Sequence, residues 1–199
     1  MNRVLADRLA KLDTIELEYG THTSFDDGMC AMEAVAWLAG EECSGLPQCA
    51  CPIIARAMRR LNDLILNRVI RTELLRPLLV RIVDSRAGDN VVVRRTFIAA
   101  DAAVRIFAPL ALEKRGFAEL ATALRRIPAI VDRETALAAK QAVADAADAY
   151  AAADVADAAY ATADAADAAA YAAANAAASL AAKLSIYMLG VEMIERMLP

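Results

Sequence analysis

The chain has 199 residues and a formal net charge of −4; 59% of its residues are hydrophobic, but only 5% are aromatic. This length suits one domain, or one domain with a long extension. Seven glycines and four cysteines exclude a collagen-like chain and a disulfide-dense scaffold, and the large apolar side chains before residue 136 exclude disorder there.

Charge and hydropathy also bear on the compartment. Charged residues begin at Arg3, so the sequence predicts no secretory signal. No window of about 18 residues combines bilayer-grade side chains with a lack of charge. We therefore expect a cytoplasmic protein with reduced thiols and no membrane span.

The first well-marked helix runs from Ala31 to Ala39 and ends at Gly40. A capping box formed by Ser24 and Asp27, or an aspartate as N-cap, begins it and places Cys30 in its first or second turn. At that position the helix dipole favours a thiolate, and backbone N–H groups point at any bound anion.

Cys30 is accordingly the candidate nucleophile of a cysteine-dependent site. His22, the single histidine, lies eight residues earlier and can fold back over the helix start. Glu33 follows Cys30 by three residues on the same face, where it can orient a base or relay a proton. The alternative is a core residue, because Cys30, Ala34 and Trp37 form an apolar stripe and buried cysteines are commonly inert.

The same segment is rich in zinc-binding residue types. Zinc accepts four ligands tetrahedrally, but the spacing Cys49-Ala50-Cys51 is CxC, whereas structural zinc usually prefers CxxC. A disulfide to Cys30 is less expected in a reducing compartment. The candidate ligands are His22, Cys30, Cys43, Cys49 and Cys51.

Three further helices follow in the pattern of apolar residues. The first spans residues 52–69, the second begins near Pro77, and the third spans residues 91–108 and ends at Pro109. Three valines at the start of the third helix look strand-like but are too few for a sheet. The sequence predicts an all-α fold: a helical bundle whose Ala-rich C-terminal segment forms either one long helix or an antiparallel helical hairpin.

Polar residues interrupt two of these apolar faces. Asp101 lies on the buried face of the third helix with Arg105 one turn later, which favours a half-buried ion pair that fixes helix packing. Asn62 and Asp63 interrupt the preceding face in the same way.

Arginines are concentrated between residues 56 and 95. Ten arginines face four acidic residues in that stretch, so its local charge is +6. Such a stretch can attract an anion or nucleic acid, although a solvated helix face is the more favoured interpretation. The sequence contains no Gly-rich phosphate loop and no nucleic-acid-binding fingerprint.

Alanine supplies 29 of the 47 residues from Ala136 to Ala182, and neither Gly nor Pro occurs from Ala129 to Leu189. Alanine has the highest helix propensity, so this segment is predicted to be one helix about 90 Å long or a helical pair. An isolated Ala-rich helix buries little surface and needs a partner helix. Tyr150, Tyr160 and Tyr171 are expected to form one stripe.

Two blocks of residues carry a family resemblance. The first reads His22-Thr23-Ser24, Asp27-Gly28-Met29-Cys30-Ala31-Met32-Glu33-Ala34-Val35-Ala36-Trp37-Leu38-Ala39-Gly40-Glu41, Pro47, Cys49, Pro52 and Asn62-Asp63; the second reads Arg94-Arg95, Ala100-Asp101, Val104-Arg105 and Pro109. They resemble a family of actinobacterial and actinophage proteins, over roughly residues 8–135.

The resemblance implies no reaction. It implies that His22, Cys30, Glu33 and Cys49 belong to the family pattern, whereas Cys43 and Cys51 are additions. The metal ligands are thereby reduced to His22, Cys30, Cys49 and one carboxylate, with zinc as the metal. An Ala-rich tail is a variable feature of such proteins.

These observations favour a helical core domain at residues 1–135 and an Ala-rich segment at residues 136–199. We expect a non-enzymatic protein of phage or actinobacterial origin that forms homo-oligomers, or binds a protein partner, through its Ala-rich helices. The first alternative is a metal- or cysteine-dependent module at His22, Cys30, Glu33 and Cys49. The second is an anion or nucleic-acid binder that uses the stretch of arginines.

Overall fold

The computed structural model describes residues 3–114, 116–150 and 180–199, with the backbone alone at 145–150 and 180–181. Over these ranges the chain forms helices and no strand, which confirms the predicted all-α fold. The elements are α1 Ala6–Leu9, α2 Ala31–Ala39, α3 Pro52–Leu64, α4 Arg68–Ile82, α5 Asp89–Ala102, a π-helical segment Ala103–Phe107, α6 Ala108–Lys114, α7 Ala118–Arg126, α8 Arg133–Tyr150 and α9 Leu180–Met197, with short 3-10 turns at Leu12–Thr14 and Phe25–Asp27.

The chain divides into two compact units. Unit 1 comprises Met1–Val92 and Ile194–Pro199, and unit 2 comprises Val93–Met193. The units thus separate inside α5, after its first turn, and residue 135, the predicted boundary, lies inside unit 2. A hydrogen bond within unit 2 connects the residues before position 135 to α5. The buried Asp101 carboxylate of α5 accepts this bond from the Ile130 N–H, in the segment before α8, at 2.9 Å.

In unit 1, α2 packs against α3 and α4. Helix α2 has the predicted bounds, but its N-cap is Cys30, whereas Ser24 caps the 3-10 turn Phe25–Asp27; Cys30 therefore precedes the first helical turn, which corrects the predicted cap. Gly40 ends the helix in the left-handed conformation, at φ +74°, with its N–H bonded to the Ala36 and Trp37 carbonyls. Residues 15–18 form no helix and lie beside α4, where the Leu17 N–H donates to the Thr72 hydroxyl at 2.9 Å. The core side chains of these helices include Met32, Val35, Leu38, Ile54, Met58, Leu75, Leu79 and Ile82.

The helix predicted over residues 52–69 is in fact two helices. Helix α3 ends at Leu64, and the Asn67 side chain caps α4 by accepting a hydrogen bond from the Ile70 N–H at 3.0 Å. Pro77 lies inside α4 and does not begin a helix, which corrects the second prediction. Because Pro77 is exposed, the carbonyl that loses its helical N–H partner lies at the solvent side of α4.

Pro109 likewise does not end the helix that precedes it. The backbone passes from α5 through the π-helical segment into α6, which contains Pro109. In the π-helical register the Ala108 N–H donates to the Ala103 carbonyl, so the change in hydrogen bonding occurs in the turn before the proline. The three valines that look strand-like lie within α5.

No helix of the described ranges is both long enough and apolar enough for a membrane crossing. Helices α8 and α9 contain the two ends of the Ala-rich segment. The predicted tyrosine stripe, and the choice between one long helix and a hairpin, depend on residues 151–179, which lie outside the described residues.

Candidate functional site

Glu33 organises the candidate site from the first turn of α2. Its carboxylate is buried, and Oε2 lies 2.7 Å from Nδ1 of His22 while Oε1 accepts the His22 backbone N–H at 2.8 Å. Oε2 also accepts the Cys30 N–H at 2.8 Å. The structure therefore brings together three of the predicted site residues, which we call the Glu33 cluster: His22, Cys30 and Glu33.

Hydrogen bonding keeps Glu33 ionised. Burial by itself opposes ionisation, but the N–H groups of Cys30 and His22 and the His22 ring together outweigh it and lower the pKa of this carboxyl. An ionised carboxylate only accepts, so the His22 Nδ1–H is the donor, and the lone pair of a neutral ring lies on Nε2. That nitrogen faces Gly28, where an added Cβ atom would lie 3.3 Å from it.

The start of α2 has no amide group left for a bound anion. Cys30 is the N-cap, and its N–H donates to Glu33. The Ala31 N–H donates to the Asn62 side chain at 3.0 Å, and the amides of Met32 and Glu33 bond to the Cys30 sulfur. The expected anion-binding role of this helix end is therefore wrong, because the protein's own side chains occupy it.

Asn62 connects the Glu33 cluster to the rest of unit 1. This fully buried amide accepts from Ala31 and donates through Nδ2 to the Glu18 carbonyl at 2.9 Å and to Asp63 at 3.0 Å. Asn62 thus interrupts the apolar face of α3 because its buried amide makes these hydrogen bonds.

Cys30 is a protonated thiol. Its side chain is buried, and desolvation raises its pKa to about 12, even though the Glu33 backbone N–H acts in the opposite direction. The nearby Glu33 charge adds to the rise. The helix dipole was expected to favour a thiolate, and this expectation is wrong because burial and the adjacent carboxylate outweigh it.

The other cysteines have separate surroundings. The Cys49 N–H donates to Glu41 at 2.8 Å, and burial, followed by the Glu41 charge, raises the pKa of its thiol to about 11. Cys51 is buried, and its N–H donates to the Ser85 hydroxyl. Cys43 is half-buried, and its sulfur lies 3.7 Å from the His22 carbonyl oxygen.

The geometry offers no metal centre within the described part of the chain. No three His, Cys, Asp or Glu side chains there are grouped as metal ligands would be. Of the predicted set, His22 bonds through Nδ1 to Glu33, while Cys30 and Cys49 are protonated thiols with different carboxylate neighbours. The residues present therefore do not fit a zinc ion.

Comparison with known protein families, with curated proteins and with solved structures finds no match to this chain. The resemblance to an actinobacterial and actinophage family thus stays a prediction. So do the roles of His22, Cys30, Glu33 and Cys49 in that family's pattern.

The stretch of arginines does not form one basic surface. Arg71 and Arg95 are buried, and Arg68 is bound by Glu16 at 2.9 Å and Glu18 at 3.0 Å. Arg71 lies among backbone carbonyls and donates to those of Asn62, Leu17 and Leu66. The exposed arginines of the stretch are spread over α3, α4, the loop after α4 and α5: Arg56, Arg60, Arg68, Arg81, Arg86 and Arg94.

The predicted ion pair of Asp101 and Arg105 is confirmed. The Arg105 guanidinium lies 2.9 Å from Oδ1 of Asp101, whose side chain is 8% exposed. The same oxygen accepts the Ile130 N–H, so the pair also holds the segment between α7 and α8. The sequence favoured this structural role, an ion pair that fixes helix packing.

Sequence reasoning missed two polar anchors of unit 1. Arg71 looked like one of many surface arginines, and Glu41 looked like a loop residue, yet Glu41 accepts the N–H groups of Gln48 and Cys49. A signal for Arg71 existed in its spacing, because it lies four residues before Leu75 on the apolar side of α4.

Proposed function

We propose that this chain is a non-enzymatic helical binding protein that self-associates through its Ala-rich segment, residues 136–182. The observation that carries this proposal is the exposed face of α8. Ala139 and Val143 form its narrow buried stripe, while Leu137 is 57% exposed and Ala138 is exposed beside it. Small side chains allow close helix–helix approach, so this face suits a second helix.

The cysteine-dependent alternative receives less support from the geometry. Its candidate nucleophile, Cys30, is a buried protonated thiol. Its candidate carboxylate, Glu33, already accepts hydrogen bonds from two backbone N–H groups and from the His22 ring. These hydrogen bonds cap the start of α2 and fix the preceding loop, so their role is structural. The cytoplasmic location and the phage or actinobacterial origin remain predictions from the sequence.

A matched pair of variants tests the proposal. Leu137→Lys introduces a charge into the exposed α8 face, and Val131→Lys introduces the same charge at a 63% exposed position before α8. We expect the full-length protein to form dimers or larger assemblies in light scattering coupled to gel filtration. Leu137→Lys should raise the dissociation constant at least about tenfold, since a buried unpaired charge opposes association.

Val131→Lys should assemble like the unmodified protein. A full-length chain that stays monomeric at high concentration would refute the proposal. A truncation before Ala136 is a poor substitute for these variants, because it removes Ile194–Pro199, which belong to unit 1.

A further inference from the structure

The loop before α2 contains the one Asp–Gly dipeptide of the sequence, Asp27–Gly28. Asp27 ends the 3-10 turn Phe25–Asp27 and is exposed to solvent. An aspartate before glycine is prone to cyclise, because its carboxyl carbon lies close to the next backbone nitrogen and glycine has no side chain that hinders the approach. This position is therefore a candidate for covalent modification of the main chain.

The backbone nitrogen of Gly28 is available for such a reaction. Among the residues that the structure describes, none accepts a hydrogen bond from the Gly28 N–H, and its φ of +115° places it outside the regular geometry of the preceding turn. The Thr23 hydroxyl donates to Oδ2 of Asp27 at 3.1 Å and leaves the other carboxyl oxygen to solvent. Both reacting groups are thus accessible in the folded protein.

Asp26 provides a comparison within the same turn. It is exposed as well, but the nitrogen that follows it belongs to Asp27, which carries a side chain. The Asp27 N–H donates to the Ser24 carbonyl at 3.2 Å, and this bond must break before the nitrogen can attack a carboxyl group. The structure therefore distinguishes two adjacent aspartates that have the same exposure class.

We propose that Asp27 is a site of spontaneous isomerisation to isoaspartate. The Gly28 nitrogen attacks Cγ of the protonated Asp27 carboxyl, a C–N bond forms, and the carboxyl hydroxyl leaves as water with the N–H proton. Water then adds to the α-carbonyl carbon of the resulting succinimide, the bond from that carbon to nitrogen breaks, and the nitrogen regains a proton. The main chain now runs through the former side chain, and the mass of the protein is unchanged.

The altered linkage lies next to the Glu33 cluster. A Cβ atom added at Gly28 would lie 3.1 Å from Cγ of Glu18 and 3.3 Å from Nε2 of His22, so Gly28 has little room for movement. An isoaspartyl residue lengthens the main chain in front of Gly28, and it removes the carboxylate that Thr23 binds from its place. We therefore expect isomerised chains to unfold at a lower urea concentration than unmodified chains.

Ageing of the full-length protein tests the proposal. Folded protein is incubated at about pH 5, where aspartyl carboxyls are partly protonated. Peptide mapping with electron-transfer fragmentation then distinguishes isoaspartate from aspartate at each position. Isoaspartate at position 27 should accumulate at least about tenfold faster than at position 26, where a hydrogen bond holds the following nitrogen. Equal rates at the two positions would overturn the inference.

Unfolded protein separates the effect of the fold from that of the dipeptide. In urea the Asp27–Gly28 pair reacts whatever the native geometry is. Because both reacting groups are accessible in the native loop, the native rate at position 27 should lie within about tenfold of the rate in urea. If isoaspartate forms in urea but not in the folded protein, the loop protects this position and the inference is wrong.

Two matched variants identify the reacting carboxyl. Asp27→Glu and Asp26→Glu each keep the negative charge, but a glutamate must close a larger ring, which forms more slowly. An isoaspartyl methyltransferase with labelled S-adenosylmethionine reports the isoaspartate in aged protein. Asp27→Glu should lose methyl acceptance, whereas Asp26→Glu should retain that of the unmodified chain. Equal methyl acceptance by the two variants would place the modification elsewhere and refute the assignment to Asp27.

Discussion

The carboxylate of Glu33 holds His22 by its ring and by its backbone at once, with Nδ1 at 2.7 Å from Oε2 and the N–H at 2.8 Å from Oε1. A side chain on α2 thus fixes both the position and the rotation of a residue in the preceding loop. Because the same carboxylate caps α2 through Cys30, the loop and the helix depend on one ionised group.

Replacing this carboxylate should destabilise unit 1. Glu33→Gln keeps the size of the side chain but replaces one acceptor with a donor, which faces N–H groups in a buried site. We expect a loss of about 2–3 kcal/mol in the free energy of unfolding, measured with urea. Glu73→Gln, at an exposed position of α4, should change stability by less than about 0.5 kcal/mol. Equal effects of the two substitutions would contradict the role given to Glu33.

The same group predicts an acid-sensitive stability. Its folded pKa lies below its ordinary value of 4.5, so its contribution is complete above the unfolded pKa and is lost as pH falls through the folded pKa. The difference in stability between the unmodified protein and Glu33→Gln should therefore shrink between about pH 5 and about pH 3. A difference that stays constant over this range would show that Glu33 is not the titrating group.

Thiol accessibility separates the four cysteines. Cys43 is half-buried, and the other three are buried, with pKa values raised to about 12 at Cys30 and about 11 at Cys49. A chromogenic disulfide reagent should modify one thiol per native chain and four in denaturant, because reaction requires an accessible thiolate. Cys43→Ser should abolish the native reaction. Rapid modification of Cys30 would restore the cysteine-dependent hypothesis.

Asp101 provides a test within unit 2. Asp101→Ala removes the acceptor for both Arg105 and the Ile130 N–H, so it should lower the free energy of unfolding by about 3 kcal/mol. Asp101→Asn keeps an acceptor oxygen and should cost clearly less. Asp89→Ala, at the exposed start of α5, is the control for loss of an aspartate on the same helix. Identical losses for the Ala and Asn variants would argue against this hydrogen-bonding role.

Both the backbone conformation at position 28 and the atoms around it require glycine there. Its φ is +115°, and an added Cβ would lie 3.1 Å from Cγ of Glu18 and 3.3 Å from Nε2 of His22. Gly28→Ala should therefore destabilise the protein by about 1–3 kcal/mol in thermal unfolding. Gly88→Ala, where an added Cβ would meet open space, should be close to neutral.

Local signals in the sequence were sufficient for α2. The apolar spacing and the glycine that ends the helix are contained within a dozen residues, and Ala31–Ala39 was predicted correctly, although its N-cap is Cys30 and not Ser24 or an aspartate. The prolines were misleading for the opposite reason. Whether Pro77 or Pro109 interrupts a helix depends on exposure and on the hydrogen-bond register of the preceding turn, which the sequence does not display.

The partners of the polar residues were also beyond local reasoning. The sequence predicted that His22, Cys30 and Glu33 lie close together. It did not predict the direction of the Cys30 pKa shift, because the burial of this thiol depends on helices from other parts of the chain. Arg71 is an extreme case, since its guanidinium bonds to the carbonyls of Leu17, 54 residues earlier, and of Asn62. Such contacts follow from the tertiary arrangement of α3, α4 and residues 15–18.

The assignment of Ile194–Pro199 to unit 1 has a consequence for biosynthesis. A ribosome releases the N-terminal 92 residues long before these last six, so unit 1 cannot acquire its full set of contacts while the intervening hundred residues are still being translated. The early part of the chain must wait in an incomplete form until unit 2 has emerged. Completion of the first-made unit is thereby tied to synthesis of residues 194–199.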